Sequence, residues 1–196
     1  IASSCKDVLW EFFKVQVARM TELKTPPPMS YGGYYQTVVL TDDQELTRTG
    51  PGTPCGEYMR RFWWPVAMVE QVTDVPLLIK VLGEELVLFR DLSGRLGLLH
   101  KHCSHRRASL EYGIPTERGI RCCYHGWLFD IDGQILEVPG EPENSTIPQR
   151  VCHGAYPVKE HNGLVFAYLG PPDKKPPFAH LDTMEIVGHH MVPYSI

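Results

Sequence analysis

Long hydrophobic runs and an excess of basic residues are both missing from this chain of 196 residues. No apolar stretch approaches the roughly 18 residues that a membrane-spanning helix needs. Residues 1–7 have neither the basic start nor the apolar stretch of a secretory signal. The formal net charge is −4, so nothing indicates nucleic acid or an anionic membrane as a partner. We therefore expect an ordinary globular protein located in the cytoplasm.

Cysteine is too sparse for the disulfide framework of a small secreted domain, since the chain has only six. Four of these cysteines are interpreted as reduced thiols: Cys5, Cys55, Cys123 and Cys152. Reduced thiols agree with a cytoplasmic location. The other two belong to a candidate metal motif described below.

Segments with the spacing of an amphipathic helix are scarce after residue 62. Short apolar runs separated by turn residues predominate there, and the chain has 17 Gly and 17 Pro. The pattern predicts an all-β fold, an antiparallel β-sandwich with short N-terminal helices at 5–20 and 54–61. The predicted strands are 63–69, 77–82, 85–90, 95–99, 127–130, 134–137, 155–160 and 163–169.

Proline-rich stretches divide the chain into three parts. We predict a leader of unknown origin at 1–35, one domain at 36–170 and a linker at 171–196, which leads into a catalytic domain expected to be missing. The stretch at 170–177 has four prolines, which favour a semi-rigid segment outside any sheet.

Two Cys-His pairs carry the chemistry of this sequence. They are Cys103 with His105, and Cys122 with His125. Each pair can supply one thiolate and one imidazole, and a [2Fe–2S] centre with two Cys on one iron and two His on the other needs these four donors. Gly126 lets the second loop approach closely, and Trp127 can seat it on a core. The alternative is a zinc site, which uses the same ligand types but is colourless and EPR-silent.

Residues 100–130 resemble the Rieske domain of Rieske-type non-haem iron oxygenases. Further stretches resemble the oxygenase (alpha) subunit of phthalate-dioxygenase-type enzymes, namely 49–54, 60–63, 86–91 and 170–172. The resemblance covers about residues 40–180. It implies a Rieske-type antiparallel β-sandwich with a cluster-binding subdomain of two loops, in which Cys103 and Cys122 hold one iron of a [2Fe–2S] cluster and His105 and His125 hold the other.

Two other Rieske classes fit less well. The Rieske proteins of respiratory and photosynthetic cytochrome complexes brace their two loops with a disulfide, and the matching positions here are Ala108 and Tyr124. Small Rieske ferredoxins are much shorter and have no counterpart of residues 45–65.

The resemblance also implies a role in aromatic hydrocarbon catabolism. In such oxygenases, among them dioxygenases, a flavin and iron–sulfur reductase donates electrons that pass to a mononuclear iron held by two histidines and one carboxylate. The intact proteins of the family can form homotrimers. We recognise no such iron site in this chain, assign no catalytic residue, and expect an N-terminal Rieske domain that is inactive alone. The alternative function is a stand-alone, Rieske ferredoxin-like electron carrier.

Residues beside the four ligands are expected to tune the site by hydrogen bonding or packing. They are Ser104, Arg106, Tyr124, Gly126 and Trp127. The first loop usually runs Cys-Pro-His-Arg-Gly in the family, and Arg107 at the glycine position is expected to change how closely the loop wraps the cluster. Cys123 is interpreted as a bystander. His189 and His190 are not predicted to bind a metal, because adjacent residues on a strand point to opposite faces.

Overall fold

The computed structural model describes residues 43–180, 185–189 and 191–194 of the chain. All of the described residues except Asp43 belong to one compact unit, Gln44–Ile196. The leader predicted at 1–35 and the helix predicted at 5–20 lie outside the described residues. No helix within the described ranges is long and apolar enough to cross a membrane.

Antiparallel strands dominate the described part of the chain, which confirms the predicted all-β fold. The strands are β1 (Trp63–Met68), β2 (Leu77–Val81), β3 (Glu84–Arg90), β4 (Leu96–His100), β5 (Ile114–Thr116), β6 (Gly119–Arg121), β7 (Leu128–Phe129), β8 (Ile135–Glu137), β9 (Ala155–Tyr156), β10 (Val158–His161) and β11 (Leu164–Tyr168). They form three sheets with the orders β1-β11-β10, β2-β3-β4-β9 and β5-β6-β7-β8. The short strands β5 and β6 were not predicted, because three residues carry no readable alternation.

Helices in the described residues are few and short. They are α1 (Gln44–Thr47), α2 (Pro54–Met59) and α3 (Ile147–Arg150), with 3₁₀ turns at Val69–Gln71, Leu110–Tyr112 and Pro172–Lys174. α2 confirms the helix predicted at 54–61, although it ends two residues earlier. The Thr53 hydroxyl accepts a hydrogen bond from the Gly56 amide at 3.2 Å, and Pro54 stands in the first turn, where no amide donor is needed.

The sheet β2-β3-β4-β9 is central because both of its faces are covered. Alternate residues of a strand point to opposite faces. Val87 and Phe89 of β3 lie in one core, which they share with the sheet β5-β6-β7-β8. Leu86 and Leu88 lie in a second core, which they share with β11. Burial on both faces explains why β3 is a continuous apolar run rather than an alternating one.

β2 and β3 form the hairpin that the predicted strands 77–82 and 85–90 imply, but its turn lies one residue earlier than residues 83–84. Val81 pairs with Glu84, so the loop consists of Leu82 and Gly83 alone. Both residues have positive φ, 45° and 80°. Two positive φ values are what a type I′ turn requires, and this turn matches the twist of the strands that it joins.

A buried carboxylate holds the turn between β3 and β4, which leads the chain into the first Cys-His loop. Asp91 Oδ1 accepts hydrogen bonds from the Ser93 hydroxyl at 2.7 Å and the Arg95 amide at 2.8 Å. The Arg95 guanidinium lies 2.7 Å from Oδ2. Burial raises the pKa of Asp91, but these hydrogen bonds and the Arg95 charge outweigh it, so the pKa lies below its ordinary value.

Replacing Asp91 by Asn is expected to lower the free energy of unfolding by about 2 kcal/mol at pH 7, because hydrogen bonds to a charged group are lost. The folded pKa lies below the unfolded one, so this stabilisation is complete above the unfolded value of about 3.9 and is lost as the pH falls below it. The difference in unfolding free energy between wild type and variant should therefore shrink below about pH 4. Denaturant unfolding followed by far-UV circular dichroism measures this difference.

The matched control for this prediction is Asp132→Asn, which changes an exposed turn carboxylate. It is expected to leave stability within about 0.5 kcal/mol of wild type. An equal loss of unfolding free energy in both variants would contradict the role of Asp91, as would a loss for Asp91→Asn that is undiminished at pH 3.

Candidate metal centre

Two loops with matching hydrogen bonds carry the Cys-His pairs. The first follows β4, and the second joins β6 to β7. In each loop the amide four residues after the cysteine donates back to the cysteine carbonyl, from Arg107 to Cys103 at 2.9 Å and from Gly126 to Cys122 at 3.0 Å. The sequence spacing therefore folds twice into the same tight loop, although the histidine stands two residues after Cys103 and three after Cys122.

Arg107 takes the backbone conformation that a glycine would adopt. Its φ is +61°, and the φ of Gly126 at the equivalent position is +73°. An arginine at this position was expected to change how closely the loop wraps the cluster. The first loop nevertheless closes with the same backbone hydrogen bond as the second. The left-handed conformation is costly for a residue with a Cβ, so the loop holds Arg107 under strain.

Replacing Arg107 by Gly is expected to raise the free energy of unfolding by about 1 kcal/mol, because glycine adopts this conformation without steric cost. Urea unfolding of the two proteins measures the difference. Arg106→Gly is the control, since Arg106 is not among the residues with positive φ. The control should be destabilised by about 0.5–1 kcal/mol. Destabilisation of both variants to the same extent would show that the conformation of Arg107 is not strained.

The two cysteine side chains lie inside the protein. Cys103 is 1% exposed and Cys122 is 3% exposed, and both belong to the core that contains Phe129. Burial raises the pKa of the Cys103 thiol, and the neighbouring Cys122 thiol raises it further. A thiol with a raised pKa in an apolar core does not ionise readily unless a cation compensates the charge.

The two histidine rings lie against each other, and both residues are half-buried. The ring centroids of His105 and His125 are 4.6 Å apart. Trp127 stacks on His105 in parallel at 4.7 Å, which fixes the plane of that imidazole. His105 Nδ1 is buried and has no hydrogen-bond partner among the described residues. Desolvation lowers the pKa of His125, with smaller contributions from the charges of His105 and Arg106.

The residues predicted to tune the site are mostly exposed side chains, and one of them, Gly126, takes part through its backbone. Tyr124 is 61% exposed, and its ring lies 3.7 Å from that of His125. Arg106 and Ser104 are also exposed. The Gly126 carbonyl accepts a hydrogen bond from Arg121 at 2.8 Å, and Arg121 also pairs with Glu137. Arg121 therefore braces the second loop, a contact that the sequence reasoning missed.

His153 is a second residue that the sequence reasoning missed. It is buried, and its Nε2 lies 2.8 Å from the His100 carbonyl, which can only accept a hydrogen bond. Burial lowers the pKa of His153, so the ring is neutral and Nδ1 accepts from the Ser104 hydroxyl at 2.7 Å. The hydroxyl proton of Ser104 is thus directed at His153, which ties the first loop to the segment before β9.

Known proteins resemble this chain in sequence. A family model described as the Rieske [2Fe-2S] domain matches residues 62–157. The oxygenase subunit of tert-butanol monooxygenase / tert-amyl alcohol desaturase from Aquincola tertiaricarbonis is 53% identical over 171 residues, which are 85% of this chain and 36% of that protein. The oxygenase subunit of phthalate 4,5-dioxygenase from Pseudomonas putida is 43% identical over 71% of this chain and 33% of its own length.

Solved structures resemble the chain as well. Dicamba monooxygenase bound to dicamba is 31% identical and superposes with a TM-score of 0.55, over 60% of this chain and 37% of its own. The chain thus spans about a third of the length of these relatives. These findings confirm the resemblance inferred from the Cys-His pairs and their surroundings. Residues 62–157 of this chain belong to the Rieske [2Fe–2S] domain family, and the chain is similar to the part of the oxygenase subunits named above that it matches.

Proposed function

We propose that this chain is the electron-accepting domain of an aromatic ring-hydroxylating oxygenase, which takes electrons from a reductase and passes them to a mononuclear iron. One observation carries the proposal: two thiols lie buried in the core, while two half-buried imidazoles from the same pair of loops lie against each other. A [2Fe–2S] cluster bound here supplies one-electron redox chemistry.

The four side chains fit such a cluster. Cys103 and Cys122 would hold one iron, and His105 and His125 the other. The raised pKa of the Cys103 thiol calls for a nearby cation before it becomes a thiolate, and the irons of a cluster would provide one. The unpartnered Nδ1 of His105 is a free donor atom that a metal would satisfy. A zinc site would use the same donors, but the family match favours the iron–sulfur assignment.

The surrounding residues exclude water from one side of the site and leave the other accessible. Phe129 and Trp127 belong to the core around both thiols. On the other side, the exposed Tyr124 and the half-exposed His125 form the surface that a redox partner can reach. Electrons are therefore expected to arrive and leave on the histidine side, where the path through the protein is shortest.

The names of the relatives support the proposed partners. Several are named as oxygenase subunits, and one is named as the iron-sulfur subunit of a monooxygenase system, so relatives of this chain work as components of larger systems. We infer a flavin and iron–sulfur reductase as donor, the catalytic domain of the oxygenase as acceptor, and a homotrimer for the intact protein. Free thiols at Cys55, Cys123 and Cys152 support a reducing compartment such as the cytoplasm.

Stopped-flow mixing tests the donor and its docking surface. With NADH and a phthalate-dioxygenase-type reductase, the visible absorbance of the oxidised chain should bleach in a one-electron step. Tyr124→Asp should slow this step, because it places a charge on the proposed contact surface. Tyr58→Asp changes an equally exposed tyrosine on α2 and should not. Bleaching by dithionite but not by the reductase, or equal rates for both variants, would contradict the proposal.

A further inference from the structure

Three metal-binding side chains meet on the sheet β1-β11-β10, away from the two Cys-His loops. His161 is the last residue of β10, and His180 and Glu185 come from the chain that follows the proline-rich stretch. One donor atom of each lies within 4.8 Å of the donor atoms of the other two. His180 Nδ1 contacts Glu185 Oε1, and His161 Nε2 lies 3.7 Å from the same oxygen.

An unsatisfied polar atom lies at the centre of this group. The His161 side chain is only 16% exposed, and its Nε2 is buried with no hydrogen-bond partner among the described residues. A buried nitrogen without a partner is unfavourable. Glu185 Oε1 lies 3.7 Å from this nitrogen, which is within ion-pair range but too far for a hydrogen bond, so the contacts among the three side chains leave His161 Nε2 without a hydrogen-bond partner.

The surroundings hold the two imidazoles in place. Their ring centroids are 5.4 Å apart and their planes are nearly perpendicular, at 89°. The Phe178 ring packs against both, with centroids 5.4 Å from His161 and 6.1 Å from His180. Phe178 in turn packs on Phe166 of β11 at 5.1 Å. The histidines are therefore supported by the sheet rather than carried on free side chains.

We propose that His161, His180 and Glu185 form a second metal site, which binds a zinc-type divalent cation. Two imidazoles and one carboxylate are a common set of three protein ligands for zinc, with the fourth position left to water. Mg²⁺ prefers oxygen ligands and would be bound poorly by two imidazoles. A bound cation would satisfy His161 Nε2 and offset the charge of Glu185.

The site would fasten the chain after the domain to the sheet. His161 belongs to β10, whereas Glu185 belongs to the segment that continues to residues 191–194. Part of that segment already lies against the same sheet, where Pro193 and Val192 line a groove with Pro65 and Leu164 of β1 and β11. Zinc would therefore fix the direction in which the chain leaves the domain.

Metal analysis of the iron-loaded protein tests this proposal. The protein is treated with a chelator, desalted and titrated with Zn²⁺ against a chromogenic zinc indicator, and iron is counted in the same samples. Wild type should bind about one zinc per chain with its iron content unchanged. Zinc binding should weaken by more than about tenfold in each of three variants, His161→Gln, His180→Gln and Glu185→Gln. Removing a direct ligand costs more metal affinity than removing a hydrogen bond to a ligand, which already costs about tenfold or more.

The matched control is His189→Gln, which removes an exposed histidine of the same segment. It should bind zinc like wild type. His180 and Glu185 are exposed, so their variants are expected to fold, and an unchanged iron content checks this. Equal zinc affinity in all variants, no tight zinc in wild type, or zinc uptake with loss of iron would each overturn the proposal. A Mg²⁺ titration should give no tight binding, and tight Mg²⁺ binding would also contradict it.

Discussion

Replacing Cys122 by Ser is expected to abolish the visible absorbance and the EPR signal of the protein, and to reduce its iron content to near zero. Cys122 is 3% exposed and lies in the core beside Cys103. A thiolate is the ligand that an iron–sulfur cluster requires, and a serine hydroxyl does not ionise in an apolar core. Cys122→Ser is therefore expected to lose the cluster completely rather than to bind it more weakly.

The next residue in the chain provides a matched control. Cys123 is exposed, and its substitution by Ser removes a thiol only one position away. Cys123→Ser should keep the absorbance, the EPR signal and the iron of wild type. Retention of the cluster in Cys122→Ser, or its loss in Cys123→Ser, would show that the ligand assignment is wrong.

Replacing Phe129 by Ala is expected to cost about 3–5 kcal/mol of unfolding free energy. Phe129 is fully buried in β7, between its partners Ile120 and Ile135 in the sheet, and shares a core with both cysteines. Its ring also lies 4.7 Å from that of His153, which holds the first loop. The substitution leaves a cavity beneath both loops, so it should also speed the release of iron on warming.

Phe62→Ala is the control for this prediction, since Phe62 is 46% exposed and lies next to β1. It should change the free energy of unfolding by about 0.5 kcal/mol or less. Denaturant unfolding followed by far-UV circular dichroism measures both variants, and loss of visible absorbance follows the cluster. A loss below about 1 kcal/mol for Phe129→Ala would contradict the account of the core beneath the loops.

Local chemistry explains the parts of the structure that the sequence predicted. The helix that starts at Pro54 and the hairpin of β2 and β3 each depend on a few consecutive residues. Both are present, although the turn of the hairpin falls at Leu82-Gly83, one residue earlier than the predicted strands 77–82 and 85–90 imply. The apolar run of β3 was recognised as a strand for the same reason. The spacing of Cys and His within each loop is also local, so the Rieske family could be inferred before any geometry was known.

Contacts between distant segments explain what the sequence did not predict. Ser104 is hydrogen-bonded to a histidine 49 residues away, and no feature of the sequence links the two. The group of His161, His180 and Glu185 depends on how the chain returns to the sheet after the proline-rich stretch. The sequence analysis considered only the adjacent histidines His189 and His190 as a second metal site. Distance in space, rather than in sequence, decides which side chains can bind the same metal ion.

EPR spectroscopy of the dithionite-reduced protein, with iron and acid-labile sulfide counted in the same sample, tests the central claim most directly. The account predicts a coloured oxidised protein, one EPR signal on reduction, and about two iron and two sulfide per chain. A colourless, EPR-silent protein that contains zinc at the four Cys and His ligands and no sulfide would contradict it.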